Sequence, residues 1–93
     1  MDPQYFEQYQ EACIDLHGLN RAEAISDLRH FLLWAKVQDF HYVRIITGKG
    51  SQSADNLPVV KNAVLAFLNE EDYVYEFASM FYGGEGALHV AMK

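Results

Sequence analysis

From Cys13 to His17 the residues alternate, Ile14 and Leu16 on one side and Asp15 and His17 on the other, the period-two pattern of a strand. Gly18 lets the chain turn, and the period then changes. From Arg21 to about Gln38, Ile25, Leu28, Leu32 and Ala35 recur at helical spacing, a core stripe broadened by Phe31 and Trp34. Asn20 is placed to cap this helix, with Glu23 three residues on as in a capping box. Tyr42 to Thr47 is a β-branched run that reads as a second, buried strand, and a glycine- and serine-rich loop follows from Gly48 to Asn56. Pro58 suits the first turn of a second helix, which would turn Val60, Val64, Phe67 and Leu68 to the core. Tyr73 to about Met80 reads as a third strand. Gly83, Gly84, Glu85 and Gly86 make a turn, and Ala87 to Met92 returns as a fourth strand in which Leu88, Val90 and Met92 alternate with Ala87, His89 and Ala91.

The predicted order is β-α-β-α-β-β. A right-handed crossover makes the first two strands parallel, and the closing hairpin is antiparallel. Two helices for about four strands predict an α/β two-layer sandwich, with a mixed sheet and both helices on one face. Residues 1–12 carry Tyr5, Phe6 and Tyr9 at helical spacing and read as an N-terminal extension, a short helix or a frayed lead-in. Residues 13–93 form the domain.

With 93 residues the chain has room for one core. A hydrophobic share of 51% excludes a disordered chain. Cys13 is the sole cysteine, which excludes an internal disulfide and a multi-cysteine zinc site and fits a reducing cytoplasm. No apolar stretch approaches the ~20 residues that span a bilayer, and the acidic start is unlike a secretory signal, so no membrane is expected. The net charge of −6 argues against strong binding of a polyanion. Its distribution softens this: Asp2, Glu7 and Glu11 crowd the start and Glu70, Glu71, Asp72 and Glu76 a later stretch. Between Phe40 and Gln52 the only charged side chains are Arg44 and Lys49. Weak, salt-sensitive binding follows, unless another domain or a ribosome-like partner delivers the substrate.

Both polar motifs, Asp15–His17 and Gly48–Lys49–Gly50–Ser51, end strand-like runs and should meet at one end of neighbouring parallel strands. A carboxylate beside an imidazole holds one ring nitrogen and leaves the other to move a proton. The same spacing also suits a turn capped by Asp15 with His17 exposed at the edge. Glycines around Lys49 let backbone N–H groups approach an anion, although a plain βα turn containing a lysine has the same look. It is not the nucleotide-binding phosphate loop, which needs four residues between its first glycine and Gly-Lys-Ser/Thr. Neither His30, expected on the solvent side of the first helix, nor His41 or His89 has the spacing of a metal pair, and the sequence calls for no metal site.

Three blocks together resemble the Smr (small MutS-related) domain family, in its stand-alone bacterial form or as a domain of a longer protein. They are Ile14-Asp15-Leu16-His17-Gly18, Thr47-Gly48-Lys49-Gly50, and Gly83-Gly84-Glu85-Gly86-Ala87-Leu88-His89-Val90. The resemblance implies an α/β two-layer sandwich and nucleic-acid endonuclease activity, on DNA including branched DNA or on messenger RNA at stalled ribosomes. It ties Asp15 and His17 to cleavage, and Gly48, Lys49 and Gly50 to substrate binding. Many bacterial members carry His where this chain has Thr47; others have Thr, and here His17 is the one motif histidine.

The expected catalytic residues are thus Asp15, His17 and Lys49, with Gly18, Arg44, Thr47, Gly48, Gly50 and Ser51 contacting nucleic acid. His17 would act as general base or acid, Asp15 would orient it, and Lys49 with loop N–H groups would stabilise a phosphorane-like transition state. On RNA the 2′-OH attacks and no cofactor is needed. On DNA water attacks, and a divalent metal, Mg or Mn, held by Asp15 and the substrate phosphate would help. The alternatives are a non-catalytic DNA-, RNA- or ribosome-binding module, and a protein-interaction domain.

Overall fold

In the computed structural model, which describes residues 10–48, 59–78 and 86–93, the elements are β1 (Ala12–Asp15), α1 (Arg21–Val37), β2 (Tyr42–Ile46), α2 (Val59–Glu70), β3 (Val74–Phe77) and β4 (Ala87–Ala91). The sheet order is β1-β2-β4-β3, with β1 parallel to β2 and β4 antiparallel to both β2 and β3. This is the expected mixed sheet of the α/β sandwich.

Register explains why both helices lie on one face. Val43 pairs with Val90 and Ile45 with Leu88, and these four are buried with Leu28 and Leu32 of α1 and Val64 and Leu68 of α2. A strand turns alternate side chains to opposite faces, so Arg44 and His89 point away from the helices. Cys13, Arg44, His89 and Glu76 therefore form one polar row across all four strands of the opposite face.

Several boundaries shift for local reasons. β1 begins at Ala12 and stops at Asp15 rather than running to His17, because an Asp15 carboxylate oxygen accepts the His17 N–H and turns the chain. At its start, the Glu11 carboxylate accepts the backbone N–H groups of His41 and of Tyr42, the latter at 3.1 Å, clasping β1 to β2. α1 begins with the expected capping box: Asn20 Oδ1 accepts the Glu23 N–H at 2.8 Å, and Glu23 Oε1 accepts the Asn20 N–H at 3.1 Å. Its buried stripe is Ala24, Leu28, Leu32 and Ala35. Ile25 is half-buried and Trp34 remains 48% exposed, edge-on to Phe40, so neither belongs to the closed core. In α2, Ala63 joins Val60, Val64 and Leu68, while Phe67 is half-buried. Pro58, most of the Gly48–Asn56 loop, Tyr5, Phe6, Tyr9, Met80 and Gly83–Glu85 lie outside the described residues.

Candidate active site

Because β1 and β2 are parallel, the turns after them emerge at the same end of the sheet, and β4 starts there. The ends of parallel strands are where α/β folds usually place ligands. Asp15 closes β1, and one of its oxygens serves two donors on the same residue. Oδ1 accepts the His17 N–H at 3.0 Å and lies 2.5 Å from His17 Nδ1. The turn-capping and imidazole-orienting arrangements, read as alternatives from the sequence, are thus both present. The hydrogen bond from the ring, followed by the weaker help of the His17 N–H, holds the Asp15 carboxyl below its ordinary range despite the opposing effect of partial burial. Asp15 is therefore ionised at neutral pH and fixes the proton of a neutral His17 on Nδ1. Nε2 is left as the basic nitrogen, on a side chain that is 59% exposed.

The turn after β2 is tied down from a third direction. The Gly86 carbonyl accepts the Thr47 N–H at 2.8 Å and the Gly48 N–H at 3.0 Å. Thr47 is buried, and its hydroxyl reaches the carbonyls of Gly48 at 3.1 Å and Gly86 at 3.4 Å. The donors of Thr47 and Gly48 are thus turned inward. These two residues hold the turn to Gly86, and neither N–H is offered to an anion. Gly48 has φ +77° and packs against His17, so the two motifs touch.

Gly18 follows His17 with φ +78° and open space around it. Arg44 sits in mid-strand on the helix-free face; its Nε–H donates to His89 Nε2 at 3.1 Å across the sheet, away from His17. Lys49, Gly50 and Ser51 lie outside the described residues. Gly86 and His89 stand within the third sequence block but carry no local signal of these roles, since each partner lies some forty residues earlier in the chain. Among the described residues no three His, Cys, Asp or Glu side chains come together, so a divalent ion here would take Asp15 and substrate oxygens as ligands. No helix among those residues is long and apolar enough to cross a membrane.

The model of the Smr domain family matches residues 14–93. Among solved structures, the Smr domain of Thermus thermophilus MutS2 superposes with a TM-score of 0.77 at 25% identity, over 88% of this chain and 98% of that one. YdaL, a stand-alone small MutS-related protein from Escherichia coli, gives 0.76 at 32% identity, over 90% of this chain and 66% of that one. The human small-MutS related domain gives 0.71 at 27%, over 86% and 99%. No curated protein matches by sequence. The Asp15–Gly18 and Thr47–Gly48 turns meet Gly86, at the start of the third block, at one end of a sheet of this family's fold, and the chain belongs to the Smr domain family.

Proposed function

We propose that this Smr domain is a nucleic-acid endonuclease whose proton-transfer group is His17. The family is associated with nuclease activity or nucleic-acid binding, which supports nucleic acid as the class of substrate. The observation that carries the catalytic reading is the 2.5 Å contact between Asp15 Oδ1 and His17 Nδ1, on side chains that are both at least half exposed. An imidazole held at one nitrogen and open at the other is built to take or give a proton at a bound substrate.

On RNA, the ribose 2′-OH attacks the adjacent phosphorus as His17 Nε2 removes its proton. The bond from phosphorus to the 5′ oxygen breaks, the leaving oxygen takes a proton from water, and a 2′,3′-cyclic phosphate remains. Lys49, directly after Gly48, and the N–H groups of the following loop would stabilise the added charge on the phosphorane-like transition state. Gly18, Gly50 and Ser51 would then contact the backbone of the nucleic acid. DNA, nicked or branched, calls instead for attack by water, with Asp15 as one ligand of a divalent ion.

The net charge of −6 and the single motif histidine favour a second reading, a binding module without catalysis whose nucleic acid is delivered by a ribosome or another protein. A low-salt assay separates the two. Labelled single-stranded RNA and branched DNA are incubated with wild type and with the Asp15→Ala/His17→Ala variant, in EDTA or manganese. Cleavage lost in the variant supports the endonuclease, and persistence in EDTA selects attack by the 2′-OH. Retained binding with no cleavage by wild type leaves the binding module.

A further inference from the structure

The outer flank of α1 presents a second chemistry, in a groove that neither Asp15 nor His17 lines. Arg21, Ile25, Arg29, Leu32 or Leu33, and Lys36 recur at spacings of three or four residues or their multiples, so they line one side of a helix about 25 Å long. They face α2 across a continuous groove. Its first part, a cavity of about 470 Å³, is floored by Ile25, Ala63, Ala66 and Phe67. Its second, about 310 Å³, is floored by Leu32, Leu33, Phe67, Tyr73 and Met92. Arg29 and Phe67 line both.

Two properties define what fits this groove. One is charge: Arg21, Arg29, Lys36 and Lys93 are four of the chain's seven basic side chains, whereas of the described acidic residues only Glu70 and Glu71 line it. The groove is a cationic strip on a molecule of net charge −6. The other is the kind of apolar surface. Arg29 stands 5.5 Å from the centre of the Phe67 ring and Lys93 4.7 Å from that of Tyr73, so cations already occupy a face of each aromatic ring. Nucleic-acid bases need such faces for stacking. What remains open on the groove's rim is aliphatic: Leu33 is 63% exposed. Aliphatic anchors rimmed by Arg and Lys suit carboxylate-bearing, apolar protein sequence better than a phosphate backbone with planar bases.

We propose that the α1–α2 groove is a docking site for an acidic amphipathic segment of a partner protein. Leucine-like side chains of that segment would enter the two cavities, with Asp and Glu meeting Arg21, Arg29 and Lys36. Four helical turns, about 14–15 residues, would match the stretch of α1 from Arg21 to Lys36.

The test pans a displayed library of random 16-residue peptides on the full chain and measures the enriched peptides against wild type, Arg29→Glu/Lys36→Glu and Leu33→Ser. These positions are solvent-facing, and His17→Ala serves as the control outside the groove. The expected result is enrichment of peptides combining Asp or Glu with apolar anchors. Their affinity should fall at least about tenfold in the charge-reversed variant and measurably in Leu33→Ser, while His17→Ala leaves it unchanged. No enrichment, enrichment of basic peptides, or equal binding to all variants would overturn the proposal. So would a wild-type dimer in sedimentation that Arg29→Glu/Lys36→Glu dissociates, which makes the groove a self-contact. A charge-reversed variant that loses affinity for a single-stranded RNA 16-mer but not for the peptides would assign the strip to nucleic acid instead.

Discussion

A methyl group placed on Gly48 would lie 3.3 Å from the Cβ of His17, so the turns after β1 and β2 are in direct contact at this glycine. Both Gly48 and Gly18 hold positive φ, where any other residue costs about 1–2 kcal/mol. Only Gly48 has a neighbour that must move, because nothing lies within 4 Å of a Cβ on Gly18. Gly18→Ala and Gly48→Ala should therefore both lose stability in urea, Gly48→Ala the more, and cleavage should fall further in Gly48→Ala, which displaces His17. Equal cleavage by the two variants would show that the contact does not position the imidazole.

Acid stability follows from Asp15. Its folded pKa is depressed, so the stabilisation it gives is present above the unfolded carboxylate value, about 3.9, and is lost as pH falls through the lower folded value. The pair is half exposed and screened, which limits the effect to a few tenths of a kcal/mol. Wild type should exceed Asp15→Asn in urea unfolding at pH 6 by that margin, and the two should converge as pH falls through the lowered folded value. Glu11, depressed by the His41 N–H first of all, also loses its contribution on acidification and must be retained in both proteins. A difference that grows on acidification would contradict the assignment.

Arg44 fixes the protonation of His89. The guanidinium Nε–H can only donate, so the fully buried His89 must accept at Nε2 and carry its proton on Nδ1. Long-range ¹H–¹⁵N correlation at pH 7 should show the neutral Nδ1–H tautomer for His89. An Nε2–H tautomer or an imidazolium would mean that the Arg44 contact does not form in solution.

Local chemistry was legible in the sequence where it is settled within a few residues. The Asn20–Glu23 capping box needs one helical turn to close, and the Asp15–His17 pair closes within three residues at the end of β1. Packing was less legible. Helical spacing brought Trp34 toward the core, but α1 buries Ala24, Leu28, Leu32 and Ala35, and the bulky indole stays at the edge beside Phe40. Long-range register was not legible at all. Nothing near Thr47 announces that the Gly86 carbonyl will take its N–H, because that depends on β4 inserting between β2 and β3. The same insertion sets Arg44 beside His89, a partner that no spacing within β2 could supply.

The most direct test of the central claim is single-turnover cleavage of RNA by His17→Ala, measured with its affinity for the same RNA. Loss of general acid–base catalysis should slow the chemical step by about 10²–10⁴-fold, with the dissociation constant within about twofold of wild type. An unchanged rate would contradict the assignment of His17 as the proton-transfer group.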